Sequence, residues 1–293
     1  MTTARKWELF RGIPLIGPAL ALTAILILFP FVFAIVLSVV HWTASGTLGS
    51  FAGIGNYRHM FTDPVFWESV RITLEIFIVG LIVETALGIG VGYLLSLDVP
   101  GRRVLQALIL IPSITASVAV GLVWLLMYDP TLGILNYILN AVGLGSVNWL
   151  GSPSIVVWSL ILVDAWQWTP FMALIIAAGI RSLPVEPFEA AAVDGASGWR
   201  MGWHVGLPLL WPVITVAMLI RSVDLIRFFD TVYIMTQGGP VNSSTTLNVY
   251  AYRQAFMDLN VSYGSTIQIA LIVIVLLVAG GVMLLRRTAT SYA

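Results

Sequence analysis

The sequence predicts an all-α integral membrane protein with six transmembrane helices, and three observations carry that prediction. Hydrophobic residues make up 59% of the chain and charged ones 10%, with a mean hydropathy of +0.96, whereas soluble domains carry about a quarter charged residues. The apolar residues gather into six runs, each near or above the ~20 residues that cross a hydrocarbon core. Lysine and arginine are concentrated in alternate connections, as the positive-inside rule requires of a multi-pass chain. The same composition excludes other classes. A net charge of zero provides no basic field for nucleic acid. The absence of cysteine removes disulfides and thiolate chemistry. His41, His59 and His204 are scattered rather than set at a ligand spacing, so no metal site is expected.

In chain order, the first span is expected over 13–40, retained rather than cleaved as a leader because its apolar run is too long for a signal-peptide core. A turn-rich outer segment follows, with Gly49, Gly53, Gly55, Asn56, Asp63 and Pro64. Span two is expected over 69–97 and carries Arg71, Glu75 and Glu84. A carboxylate near mid-membrane is costly and faces the protein interior or a cavity, so a structural role is favoured for Glu84. Span three is expected over 104–128 and is interrupted by Pro112, and a loop over 129–154 holds no lysine or arginine. Span four, 155–180, contains Asp164-Ala-Trp-Gln-Trp-Thr-Pro170, a cluster that suggests a broken or widened helix beside a polar cavity. Span five, 209–236, carries Arg221, Asp224, Arg227 and Asp230, whose spacing of three allows two pairs, Arg221–Asp224 and Arg227–Asp230. Span six is expected over 267–285. The side holding Arg5, Lys6, Arg11, Arg102, Arg103, Arg181, Arg200, Arg286 and Arg287 outweighs the side holding Arg58 and Arg253, which puts both termini in the cytoplasm. No linker or repeat divides 1–293, so one domain is expected.

Between spans four and five lies a polar island, 184–206. Pro187 suits a first helical turn, Glu189-Ala-Ala-Ala192 favours helix, and Asp194-Gly195 suits a left-handed stop; Ser197 can then cap a second short helix running into Leu207-Pro208. A two-turn helix with a small-residue face is too short to span a bilayer and suits a groove on a partner. Glu189-Ala190-Ala191, Asp194-Gly195-Ala196 and Leu207-Pro208 resemble, in order and spacing, the EAA…G…LP signature of permease subunits of binding-protein-dependent ABC importers, with Val205 where isoleucine is more usual. The resemblance implies that this helix docks on a cytoplasmic ATPase subunit in a bacterial or archaeal cytoplasmic membrane. It also implies a second permease, two ATPase subunits that bind ATP and magnesium, and an extracytoplasmic binding protein. The chain itself has no phosphate-binding Gly-x-x-x-x-Gly-Lys-[Ser/Thr] loop, so it is not expected to be an enzyme or to hold a cofactor.

Asp164, Gln167, Trp168 and Phe171 share a helix face by their spacing, and such planar polar and aromatic groups suit sugar hydroxyls and C–H faces. Packing of the tryptophans and pairing of Asp164 with Arg221 or Arg227 is the plainer alternative. Trp166-x-x-x-Pro170-Phe-Met and Thr236-x-Gly-Gly-Pro240 resemble the carbohydrate-uptake branch, in its maltose-permease-type half. That likeness implies substrate-path positions at Asp164, Gln167, Trp168 and Phe171 and at Arg221, Asp224, Leu225 and Phe228. A competing reading is an ion-coupled secondary transporter acting as an oligomer, with Glu84, Asp164 and Asp230 as proton sites.

Overall fold

Lipid offers the backbone no hydrogen-bond partner, so apolar runs cross it as helices. The computed structural model describes the backbone of residues 3–42 and 48–290 and the side chains of 16–42 and 49–284. The terminal basic residues Arg5, Lys6, Arg11, Arg286 and Arg287, counted above for orientation, have side chains outside that set. Five of the described helices are long and apolar enough to cross a membrane: Ile16–Ser38, Pro64–Ser96, Val156–Arg181, Gly198–Ile226 and Val261–Leu284. The expected third span is carried by three successive helices, Arg102–Ile109, Ile111–Ile114 and Ser117–Met127. Its main break lies at Thr115 and Ala116, where the backbone turns extended (ψ 139° and 132°), while Pro112 sits harmlessly in the first turn of the middle helix.

Spans two, four and five also differ from the sequence reading. Span two begins at Pro64, because the Asp63 carboxylate accepts a hydrogen bond from the Val65 amide at 2.9 Å and caps the helix. Tyr250 Oη donates to the other Asp63 oxygen at 2.5 Å. Span four is one continuous helix, not a broken one, although Pro170 lies inside it. Pro170 has no N–H for the Trp166 carbonyl, and at the adjacent carbonyl, Gln167 O, the Ser113 hydroxyl donates from a neighbouring segment at 2.5 Å. Span five stops at Ile226, and a separate helix, Asp230–Met235, follows the break. The connecting segments hold more order than loops: a two-stranded antiparallel hairpin, Val40–Trp42 with Leu48–Phe51, a helix Gly55–Thr62, and a helix Ile134–Ala141.

The chain forms two compact units. The first comprises 1–62 and 251–270, and the second 63–250 and 271–293. In the first, Ser262 Oγ accepts from the Trp42 amide at 2.6 Å, and Asn56 Nδ2 and Thr266 Oγ1 both donate to the Ser38 carbonyl. The Ile16–Ser38 segment keeps most of its apolar side chains exposed, as a helix facing lipid or a partner does. In the second unit a core of Ile72, Ile76, Leu160, Leu225 and Val232 packs Pro64–Ser96 against Val156–Arg181 and Leu207–Ile226. Tyr128 stacks on Trp149, and its hydroxyl donates to the Ser159 carbonyl at 2.9 Å. In the loop over 129–154 the Asp129 carboxylate accepts from the Leu132 amide and from Thr131, and these donors hold its pKa below the usual carboxylate range.

Close approach of Pro64–Ser96 to Val156–Arg181 depends on Gly88 and Gly92, one turn apart. A Cβ on Gly92 would lie 2.9 Å from both the Ala173 carbonyl oxygen and Ile176 Cγ2, and one on Gly88 would lie 2.9 Å from Met172 Cβ. Small residues at helix crossings are a principal source of packing energy in membranes. Gly92→Val is therefore expected to destabilise by about 1–3 kcal/mol, read as a lower unfolding temperature in detergent. Gly90→Val, where a Cβ meets nothing within 4 Å, is the matched control.

Candidate functional site: a charged mid-span cavity and an exposed short helix

The densest polar feature inside the spans is built from three helices. Arg221 forks onto Glu84, with Nε to Oε2 at 2.7 Å and Nη2 to Oε1 at 2.9 Å, and Nη2 also reaches Asp164 Oδ2 at 2.7 Å. All three side chains are essentially buried, and the guanidinium carbon lies 4.8 Å from the Trp168 ring centroid. A bidentate guanidinium–carboxylate fork is the strongest geometry available to such a pair, and burying either charge alone is costly. Asp224, about half exposed, stands 3.6 Å from the same guanidinium. Of the two pairs expected from spacing, Arg221–Asp224 is thus present at long range. Arg227–Asp230 is not formed among the described residues: Arg227 ends one helix and Asp230 starts the next, so the helical i, i+3 relation does not apply.

This cluster forms one wall of a cavity of about 390 Å³. Of the residues expected to touch substrate, Asp164, Trp168, Arg221, Asp224 and Phe228 line it. Three do not. Gln167 is buried and braces the broken third span, its Nε2 donating to Thr115 O at 3.1 Å and Ser117 Oγ at 3.3 Å. Phe171 packs edge-on against Trp168, and Leu225 belongs to the core. The cavity adds Ser117, Phe229, Thr231 and Asn248, which the sequence did not single out, together with Arg227 and Asp230. Asn248 carries no local signal of this role, because it lies on the short helix Leu247–Tyr252, more than 20 positions beyond Arg227. A larger cleft of about 570 Å³ runs beside Trp158 and Trp166 but is apolar apart from Thr169, which gives it nothing to orient a polar solute.

The polar island folds as expected and is unburied. Its first helix is Glu186–Val193, with Pro187 in the first turn, Glu186 and Glu189 at the positive end of the helix dipole, and no buried residue. Gly195 takes φ +76°, its amide bonds to Ala192 O and the Ala196 amide to Ala191 O, a paired closure that satisfies two terminal carbonyls. Glu189, Ala190, Asp194 and Gly195 face outward, while Ala191 and Ala196 are half-buried. Ser197 stands at the next N-cap without a side-chain cap bond, and Gly198–Met201 runs through a π turn, Gly202–Gly206, into the helix containing Leu207 and Pro208.

Comparison with known proteins places this architecture. Residues 84–286 match the family of binding-protein-dependent transport system inner membrane components. The trehalose/maltose transport system permease protein MalF of Thermococcus litoralis is 36% identical, covering 77% of this chain and 76% of that one. The trehalose transport system permease protein SugA of Mycobacterium tuberculosis is 30% identical over 92% of this chain and 86% of its own. A chain of a bacterial ABC transporter that imports the acidic polysaccharide alginate superposes with a TM-score of 0.81 at 20% identity, covering 97% of this chain and 99% of that one. The chain belongs to the family of binding-protein-dependent transport system inner membrane components. It is a multi-pass membrane permease component, and its described helices have the ABC importer permease fold.

Proposed function

We propose that this chain, acting as a single permease domain, forms with a second permease subunit the path by which a carbohydrate enters the cell. Glu186–Val193 docks on one of two cytoplasmic ATPase subunits, which bind ATP and magnesium, and an extracytoplasmic binding protein delivers the sugar. Both termini and the Glu186–Val193 helix lie in the cytoplasm, in keeping with the lysine and arginine distribution. The observation that carries the reading is the cavity: within apolar spans, carboxylates and guanidiniums converge beside the rings of Trp168, Phe228 and Phe229, the equipment that pairs hydroxyls and covers C–H faces. The names of the relatives point to the same substrates. Nothing favours the ion-coupled alternative, because Glu84 and Asp164, its leading proton sites, are both held by Arg221.

The test is to purify the tagged chain from its native membrane in mild detergent. A second permease and an ATPase are expected to co-purify, with ATP hydrolysis stimulated several-fold by the sugar-loaded binding protein. A chain that is isolated alone and transports without an ATPase would overturn the proposal.

A further inference from the structure

We infer that Arg227, with Asp230 beside it, is the pair through which this permease reads adjacent hydroxyls of its sugar, and that Arg221, the arginine implied by family likeness, is a brace. The inference rests on the reading of the cavity as the carbohydrate path and assigns within it a residue pair and the ligand feature it takes.

The two arginines of the cavity wall are held in opposite ways. Arg221 is 1% exposed, its Nε and Nη2 are spent on Glu84 and Asp164, and its Nη1 keeps the Asp224 carboxylate at 3.6 Å. Arg227 lines the same cavity and is exposed, and its guanidinium makes no hydrogen bond or ion pair with the described residues. A guanidinium keeps its charge and its five donors at any working pH. The main chain that carries it is fixed. The Arg227 amide donates to Asp224 O at 3.1 Å, Asn248 Nδ2 donates to Arg227 O at 3.0 Å, and Thr246 Oγ1 donates to the next carbonyl, Phe228 O, at 3.1 Å. A fixed stem with an uncommitted head in a polar cavity is the form that a binding residue takes, because the ligand then does not have to order the backbone.

Asp230 supplies the other half. It is three positions on, opposite in charge, exposed, and lines the same space, yet the two form no ion pair among the described residues. One helix stops at Ile226 and the next starts at Asp230, so the two side chains stand on separate elements. Opposite charges that line one space without closing on each other leave room for a ligand that accepts from one and donates to the other. Adjacent sugar hydroxyls do both: their oxygens accept from the guanidinium fork, and their protons go to the carboxylate. Hydrogen bonds to charged groups are the stronger kind. Asn248 spends one amide proton on Arg227 O, and its side-chain oxygen adds an acceptor at the same point of the wall, while Phe228 and Phe229 line the cavity beside the pair and offer apolar surface to the sugar's C–H faces.

The experiment uses the importer purified through this chain, reconstituted in liposomes with its binding protein and ATP. The probe is a mixture of carbon-13-labelled mono- to tetrasaccharides, neutral and acidic, from hydrolysed starch and plant and algal cell walls, and the sugars taken up are identified by mass spectrometry. Arg227→Gln is expected to lower uptake of the parent's sugar by about tenfold or more, and Asp230→Asn several-fold, with both proteins unfolding within a few degrees of the parent. Because the chain has no cysteine, Arg227→Cys gives it a single thiol. Aminoethyl methanethiosulfonate, which puts an ammonium back at that point, is expected to raise uptake of this variant several-fold. Methyl methanethiosulfonate, which adds a neutral group, is expected not to, and the parent treated with each reagent controls for thiols of the other subunits. Uptake by Arg227→Gln within about twofold of the parent, or a cysteine variant on which the two reagents act alike, overturns the assignment of Arg227 while leaving the path intact. A parent that takes up no sugar from the mixture overturns the carbohydrate path, and this inference falls with it.

Discussion

Arg221→Met is expected to remove most of the folded importer from the membrane. The substitution keeps an unbranched apolar side chain of moderate length but leaves Glu84 and Asp164 buried with no cation between them. Breaking a buried pair from one side costs about 3–5 kcal/mol, a large share of the 5–15 kcal/mol that holds a typical domain together. Arg221→Lys should recover only part of the loss, because an ammonium cannot reproduce the fork made by Nε and Nη2. The informative companion is the triple change Arg221→Met, Glu84→Gln, Asp164→Asn, which removes the charges together and is expected to restore accumulation and thermal stability. Monodispersity and unfolding temperature in detergent report both arms. An Arg221→Met protein as stable as the parent would mean that the cluster is not a brace. A triple variant no better than the single one would mean that packing around Arg221, and not its charge, holds the three helices.

How much of this was legible in the sequence depends on the range of the interaction. The Glu186–Val193 helix and its stop at Gly195 were readable, because propensity, a proline in the first turn and Asp194-Gly195 act within a few residues. The span ends were readable only approximately. The start at Pro64 is set by Asp63, a local cap, but Asp63 is itself held by Tyr250, 187 positions away. The break after Ile226 was missed for a similar reason. Hydropathy would have carried that helix on to 236, but the carbonyls just past Ile226 are taken up by distant groups: Thr246 Oγ1 donates to Phe228 O at 3.1 Å, and Asn248 Nδ2 to Arg227 O. Once those bonds stop the helix, Arg227 and Asp230 part and both turn to the cavity. The Arg221–Asp164 pair was one of two open alternatives, whereas Glu84, 137 positions from Arg221, could be read as interior-facing from the cost of a mid-membrane charge but not assigned a partner. Sequence spacing grouped Asp164, Gln167, Trp168 and Phe171 on one face. The structure shows that a helix face wide enough to hold all four spans both the cavity and its surroundings, so of the four only Asp164 and Trp168 line the cavity.

Gly195→Asp is expected to reduce uptake by at least tenfold while the chain still assembles in the membrane. Two effects are superimposed at this position. Gly195 has φ +76°, where a side chain costs about 1 kcal/mol, although aspartate is among the residues that tolerate it best. A Cβ there would meet nothing within 4 Å, so no steric clash adds to the backbone cost, and the local closure onto Ala191 and Ala192 should survive. The remainder of the effect falls on the outward face, where Ala190, Asp194 and Gly195 stand free of their own chain. A second carboxylate beside Asp194, on a surface proposed to seat in an ATPase groove, brings uncompensated charge into a contact that must exclude water. Gly195→Ala separates the two effects. It carries the backbone cost without the charge and is expected to keep most of the uptake, with both variants unfolding within a few degrees of the parent. Equal failure of the alanine variant would place the requirement in the turn. Full transport by the aspartate variant would remove this face from the ATPase contact altogether. Loss of uptake and of binding-protein-stimulated hydrolysis together, in the aspartate variant alone, would support the helix as the element through which ATP hydrolysis moves the spans.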